Sequence, residues 1–442
     1  MSEPRSLGRQ LFTMTWPMMF GVLSLMSFQL VDSAFIGQLG VLPLAAQGFT
    51  LPIQMIIIGI QVGLGIATTA IISRALGAEQ HEYAKQLGGL IITIGAIGVA
   101  LIGLVIWMLR TPILQLLSAP ESVYPIIDSY WVIWLVSAWV GAMLYFGYSI
   151  CRANGNTMLP GTMMVVTSVI NLVLDPIFIF WLDMGINGAA LATILAFGIG
   201  SLIVYPKVIS KQWLSFNWKT ISISNSVGEI GRIMGPAMMS QLLPPVSSML
   251  ATKLIAGFGT AAVASWAVGS RFEFFAIVVV LALTMSMPPM IGRLLGAKKF
   301  NDIEQLVTIA TKFILVFQFS IAIVVFFIAP VLADWMTSEE AVRSVLDMHL
   351  TIVPFSLGPL GICMLMVSVT NALAMSMRAL IISSLRLFAF FLPCLWVGAT
   401  LADLYGLFWG AFVGNCLAGL TAWMVYKRAI QQLSQRHYAT EQ

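Results

Sequence analysis

The chain has 442 residues, of which 59% are hydrophobic and only 9% charged, with a formal net charge of +4. A soluble globular chain carries about 25% charged residues, so this composition excludes an ordinary water-soluble domain, and the basic residues are scattered rather than gathered into a nucleic-acid surface. Cys151, Cys363, Cys394 and Cys416 show no C-x-x-C spacing and His81, His349 and His437 are dispersed, so no redox centre, metal site or cofactor is expected.

Apolar stretches of roughly 20 residues, each able to cross about 30 Å of hydrocarbon, recur along the whole length. Residues Met1 to Gln10 show no cleavable signal pattern, and the first predicted helix, Leu11–Ile36, is expected to stay in the membrane. It holds Pro17 near its start, where a missing N–H and a ring clash bend a helix, and Asp32 near its end. Helices over Ala45–Ile72, Ala84–Met108 and Val123–Ile150 follow. The fifth, Met158–Trp181, carries Asn171 and Asp175 just before Pro176, and the sixth, Asn187–Val208, carries Thr193. The second half reads Gly228–Ile255, Ala261–Ile291, Ile303–Ala329, Val345–Leu373, Ala379–Thr400 and Leu404–Tyr426. Pro244-Pro245 are expected to break the seventh helix and Pro288-Pro289 the inner end of the eighth.

The two halves are related. A shift of 219 residues carries Pro17-Met18-Met19 onto Pro236-Ala237-Met238, and Arg74-Ala75-Leu76-Gly77-Ala78 onto Arg293-Leu294-Leu295-Gly296-Ala297. Six helices followed by six in the same orientation form a parallel repeat, and transporters place substrate paths between such halves. The expected fold is therefore an all-α polytopic membrane protein of twelve transmembrane helices in two pseudo-symmetric lobes. An amino-terminal lobe over 1–210, a linker over 211–226 and a carboxy-terminal lobe over 227–442 are expected. With the amino terminus in the cytoplasm, the outer loops hold only Arg110 and Arg343, while Arg9, Arg74, Arg152, Lys211, Arg293, Arg378 and Lys427 are among many basic residues inside. That bias places both termini and the linker in the cytoplasm.

Ionisable groups inside apolar segments are costly and point to function. At 1.5 Å per residue, Asp32 lies roughly 6 Å from the outer end of its helix, and Asp175 and Thr193 lie roughly 9 Å deep. Asn171 is one turn from Asp175 on the same face. These four residues can share one outward-leaning pocket. Two neighbouring carboxylates in a low dielectric cannot both ionise cheaply, so they are expected to titrate as a unit; the same oxygens would also suit Na+. Pro17 shares a helix with Asp32 and is the expected hinge. In the second half, Lys253, Arg271, Glu273 and Arg386 are open to either structural ion pairing or a transport role, and Arg271 and Glu273, two apart, need partners on other helices. The methionine and phenylalanine clusters suit adaptable packing or apolar ligands.

Taken in order, Trp16-Pro17, Val31-Asp32-Ser33-Ala34-Phe35-Ile36-Gly37-Gln38-Leu39-Gly40, Arg74-Ala75-Leu76-Gly77-Ala78, Arg152-Ala153-Asn154-Gly155 and Asn171-Leu172-Val173-Leu174-Asp175-Pro176 resemble the multidrug and toxic compound extrusion (MATE) family of antiporters over essentially the whole chain. The resemblance implies a non-enzymatic secondary transporter of the bacterial inner membrane. It would export cationic or amphipathic compounds against H+ or Na+, with the coupling site in the amino-terminal lobe at Asp32, Asn171, Asp175 and Thr193 and the bend at Pro17. The sodium-coupled branch has carboxylates in the seventh and tenth helices, where this chain offers Lys253 and Asn371. That departure looks like the DNA-damage-inducible (DinF-like) branch. The expected partners are small-molecule substrates and membrane lipid, with no nucleic acid and a monomeric chain. The alternative is a lipid-linked oligosaccharide flippase of the same superfamily, which would show a more cationic cavity. A major-facilitator transporter would carry a Gly-Asp-Arg-type signature that is absent, and an enzyme would need a nucleophile or metal constellation that the sequence lacks.

The charge bias generates a direct test of topology. A cysteine introduced at Lys211 should react with a membrane-impermeant maleimide in inverted vesicles and stay unlabelled in intact cells. Labelling from the outside would reverse the orientation.

Overall fold

In the computed structural model, residues 6–440 are described, with side chains to residue 435; residues 1–5 and 441–442, which include the two chain ends, lie outside the described residues, as does the His437 side chain. The described residues fold into helices: α1 Leu7–Gln38, α2 Val41–Gly77, α3 His81–Met108, the short α4 Arg110–Leu116, α5 Tyr124–Ala153, α6 Met158–Pro176 and α7 Gly185–Ser210. They continue as α8 Ile223–Ala256, α9 Thr260–Ala276, α10 Val278–Gly296, α11 Phe300–Met336, α12 Glu340–Ile352, α13 Leu357–Ala372, α14 Ser376–Ser384 and α15 Leu392–Thr440. Ten segments are long and apolar enough to cross a membrane, and the last, Ser376–Gln435, is two spans folded back at Ala402–Asp403, where the backbone leaves helical geometry. With α8, less apolar because it carries Glu229, Arg232 and Lys253, the described residues contain the twelve expected spans.

Several spans are interrupted where the sequence alone reads continuous helix. A single turn at Ile277 separates α9 from α10, and a 3-10 turn over Val353–Ser356, with Pro354 inside it, separates α12 from α13. Two wide π-helical turns replace regular helix, at Ile177–Trp181 and at Leu385–Phe391. The expected break at Pro244-Pro245 does not occur: α8 is helical straight through both prolines. Pro288 and Pro289 likewise lie within α10. Broken backbone in hydrocarbon would leave carbonyls with no donor, so a proline that costs one hydrogen bond is tolerated more cheaply than a chain break.

The repeat extends to the backbone. Gly40 and Gly259, 219 positions apart, open α2 and α9 with φ of 110° and 101°. Glu79 and Lys298, at the same shift, both adopt left-handed φ, 61° and 57°, as do Gly155 and Ala374 at 80° and 58°. The turn after α2 donates Ala78 N to Arg74 O at 3.0 Å and Gln80 N to Ala75 O at 2.9 Å; the turn after α10 repeats this with Ala297 to Arg293 at 3.0 Å and Lys299 to Leu294 at 2.9 Å. These are paired helix C-terminal motifs that satisfy the last carbonyls. A lysine or glutamate in a left-handed conformation is unfavourable on its own, so its recurrence reflects a shared fold.

The chain divides into two compact units. One holds residues 16–238 and the other residues 6–15 with 239–440, so the start of α1 belongs to the unit of the second half and the start of α8 to that of the first. Within the first unit, α8 approaches α2 at Gly63, where a Cβ would crowd the Met234 carbonyl and Met238. The connection between halves is docked: Ser215 N donates to Lys85 O at 2.9 Å, Thr220 donates to the Gln86 amide oxygen at 2.8 Å, and Gly88-Gly89 leave room for the backbone of Trp213 and Ser215. A core of Ile36, Ile53, Trp131, Ile179 and Ile186 lies around the carboxy-terminal end of α1.

In the second unit the hairpin within Ser376–Gln435 is held by small residues. Gly406, Gly410 and Gly414 repeat every fourth position, facing Gly398, Cys394 and Phe390–Phe391 across the hairpin. Close backbone approach through such a stripe drives helix packing where lipid offers no hydrophobic gain. A Cβ at Gly410 would overlap the Cys394 carbonyl, whereas Gly98 of α3 has open space around it. Gly410→Leu should therefore lower stability by about 1–3 kcal/mol, the usual cost of overpacking, read as a fall in the thermal unfolding midpoint in detergent, while Gly98→Leu leaves it unchanged. Equal behaviour of the two variants would contradict this packing.

Candidate functional site: a buried carboxylate pair

The structure brings the four residues predicted to share a pocket into one buried cluster. Asp32 comes from the carboxy-terminal part of α1, Asn171 and Asp175 from successive turns of α6, and Thr193 from α7. Asn171 and Asp175 are 0% exposed. The Asp32 and Asp175 carboxyl groups interact side chain to side chain, and Asp32 Oδ1 is buried with no hydrogen-bond partner among the described residues. Pro176 and the π turn that follows widen α6 just beyond Asp175, and Phe35 packs edge-on against Phe180 at 6.0 Å, tying that turn to the end of α1.

Asn171 is the centre of the cluster. One end of its amide lies 2.8 and 2.9 Å from the two Asp175 oxygens and the other 3.1 Å from Thr193 Oγ1. The same atom positions satisfy two hydrogen-bond patterns. With Asp175 ionised, the Asn171 nitrogen faces it and donates, and Oδ1 accepts from Thr193. With Asp175 protonated, its O–H donates to Asn171 Oδ1, the amide nitrogen donates to Thr193 Oγ1, and the Thr193 hydroxyl donates to Ala189 O at 3.0 Å. One amide rotation therefore separates the two protonation states, with both ends of the Asn171 amide paired in each.

Tyr130 of α5, 4% exposed, places its phenol close enough to feel the Asp32 charge. Nothing in the sequence separates it from the other aromatic residues of that helix, and only the depth of α5 beside α1 brings it there. Pro17 is buried within α1, and Gly161 of α6 packs against it so closely that a Cβ would overlap the Pro17 carbonyl. The predicted hinge and the carboxylate pair thus contact the same partner helix.

The second-half charges do not pair among themselves. Lys253 and Arg271 are exposed. Glu273 is held by His349 Nε2 at 2.5 Å, a partner on α12 that the sequence reading left among scattered histidines. Arg386 has no carboxylate partner among the described residues.

The profile of the MatE family matches residues 17–177 and again residues 236–396, two copies set apart by the same 219 residues. The chain belongs to the MatE family of membrane transporters. It is 30% identical over 430 residues to the FAD transporter of Shewanella oneidensis, spanning 96% of this chain and 95% of that protein. It is 25% identical over 420 residues to the multidrug export protein MepA of Staphylococcus aureus, spanning 92% and 91%. The crystal structure of the Vibrio cholerae MATE transporter VcmN in the bent form superposes with a TM-score of 0.96 at 68% identity, covering 97% of this chain and 98% of that one. MatE transporters of this architecture consist of two six-helix lobes, matching the repeat in sequence and backbone.

The amide network carries its own test. Asn171→Leu removes the donor to ionised Asp175 and should cost about 1–3 kcal/mol, a deficit that grows as pH rises because an ionised carboxylate needs the donor most. Thr193→Val, which removes a single hydrogen bond, should cost about 1 kcal/mol. Thermal unfolding across pH checks both, and an Asn171→Leu deficit that shrinks toward alkaline pH would contradict the arrangement.

Proposed function

We propose that this MatE transporter is a proton-driven exporter of small organic compounds, with Asp32 and Asp175 as the proton-binding pair. The observation that carries the reading is the Asn171 amide spanning both Asp175 oxygens. That amide gives Asp175 a partner in either protonation state, and the open Oδ1 of Asp32 can take a proton. The relatives' names, multidrug export and FAD transport, support organic substrates of widely different chemistry.

In this reading the protein works in the bacterial inner membrane as a monomer with both termini in the cytoplasm. A proton entering from the outer side binds the pair, converts carboxylate–carboxylate repulsion into a hydrogen bond and turns the Asn171 amide. Those changes alter what α1 can contact at Asp32 and bias its conformation around Pro17, where one backbone hydrogen bond is already missing. The bias can be only as large as the difference in proton affinity between the two forms. Rearrangement of α1 then releases the substrate outward, and return of the proton to the cytoplasm resets the pair.

Purified protein in proteoliposomes distinguishes the coupling ions. Imposing a pH gradient alone should drive substrate movement, and a Na+ gradient at equal pH should not. Asp32→Asn should reduce proton-driven transport to background while the protein inserts and unfolds like the wild type. Sodium-driven transport, or full activity of a well-folded Asp32→Asn protein, would overturn the proposal.

A further inference from the structure

The second unit contains a cleft of its own, of about 170 Å³. Glu273, Arg386, Ser247, Trp266, Phe391 and Asn415 line it. Arg386 sits on the π turn over Leu385–Phe391, a departure from regular helix that often marks functional positions. Ten residues into the span that starts at Ser376, it lies roughly 15 Å from the helix end at 1.5 Å per residue. That depth, about the middle of a hydrocarbon layer some 30 Å thick, is beyond the reach of lipid headgroups.

The two charged groups in the cleft differ in their satisfaction. Glu273 accepts from or donates to His349 Nε2, and the His349 ring is wedged between Trp266 at 5.4 Å and Phe408 at 4.9 Å over Gly269, whose missing side chain makes room for it. Asn415 is tied to Ser356 at 2.9 Å. Arg386 has no ion pair or hydrogen bond to any described residue, and its titratable neighbour is the buried thiol of Cys363. The hydroxyl of Ser247, 2% exposed, is likewise without a partner. A guanidinium is always charged; Arg386 is half-buried, and holding that charge at such a depth in a membrane without a counter-charge is unfavourable.

The geometry points to a binding site for an aromatic organic anion in this cleft, its carboxylate or phosphate on the Arg386 guanidinium with Ser247 nearby, and its ring against Trp266 and Phe391. The planar fork of Arg386 suits bidentate contact with such groups, and Trp266, stacked on Phe408 at 16° between planes, offers a rigid flat wall. The site lies within the second unit and stands independently of proton coupling at Asp32.

The test compares 2-naphthoate with 2-naphthamide, equal in ring and differing in charge, by titration calorimetry on the full chain in phosphatidylcholine nanodiscs, with empty discs subtracted. The wild type should bind the carboxylate at least roughly tenfold more tightly than the amide, the scale of one charge-assisted contact. Arg386→Gln should erase that ratio and Arg386→Lys should keep part of it, with unfolding midpoints confirming that both fold. No saturable naphthoate binding, equal binding of the two probes by wild type, or a ratio that survives Arg386→Gln would overturn the inference. The wild-type comparison decides the matter even if a variant does not fold.

Discussion

A membrane interior supplies no water to a polar group, so each ionisable side chain within it must be satisfied by the protein or by what the protein carries. The arrangement around Asp175 follows from that constraint. A carboxylate at that position needs a donor when charged and an acceptor when protonated, and the Asn171 amide offers both by turning over. Thr193 completes the pattern because its hydroxyl either donates to the Asn171 oxygen or, when the amide turns, accepts from the nitrogen and donates to Ala189 O. Asp32, with one oxygen unsatisfied, is where the constraint is relaxed, and a relaxed constraint inside a membrane is what an ion-coupled transporter can exploit.

The duplication makes the asymmetry informative. The shift of 219 residues that relates Gly40 to Gly259 and Glu79 to Lys298 takes Asp32, Asn171, Asp175 and Thr193 onto Ala251, Phe390, Cys394 and Phe412. Turns and helix ends are kept in both halves because the fold requires them. The carboxylate pair appears in one half only, so it is not a requirement of the fold. Tyr130, beside Asp32, falls on His349, beside Glu273. Each half therefore places a polar ring near an intramembrane carboxylate, hydrogen-bonded to it only in the second half.

The sequence carried the helices and the repeat because hydrocarbon thickness dictates span length and because glycine, proline and basic residues mark the ends. It carried Asp32, Asn171, Asp175 and Thr193 because polar groups stand out against an apolar background and because helix rise converts position into depth. It did not carry Tyr130 or the Glu273–His349 contact, since aromatic residues abound and nothing local says which helix faces which. The reading of Pro244-Pro245 as a break weighed proline's lost hydrogen bond without the larger penalty of opening a backbone in lipid. The glycines at 406, 410 and 414 were in plain view, and their four-residue spacing was the available sign of the hairpin they hold together.

The central claim is that the Asp32–Asp175 pair holds the transported proton. Infrared difference spectra between acid and alkaline pH, recorded on protein in lipid with the protonated carboxyl band resolved, test it most directly. The account predicts a buried carboxyl band that titrates in the wild type, shifts in Asp32→Asn and in Asn171→Leu, disappears when Asp32 and Asp175 are both replaced by Asn, and is unchanged when potassium is replaced by sodium. A spectrum with no such band, or a band displaced by sodium at constant pH, would contradict it.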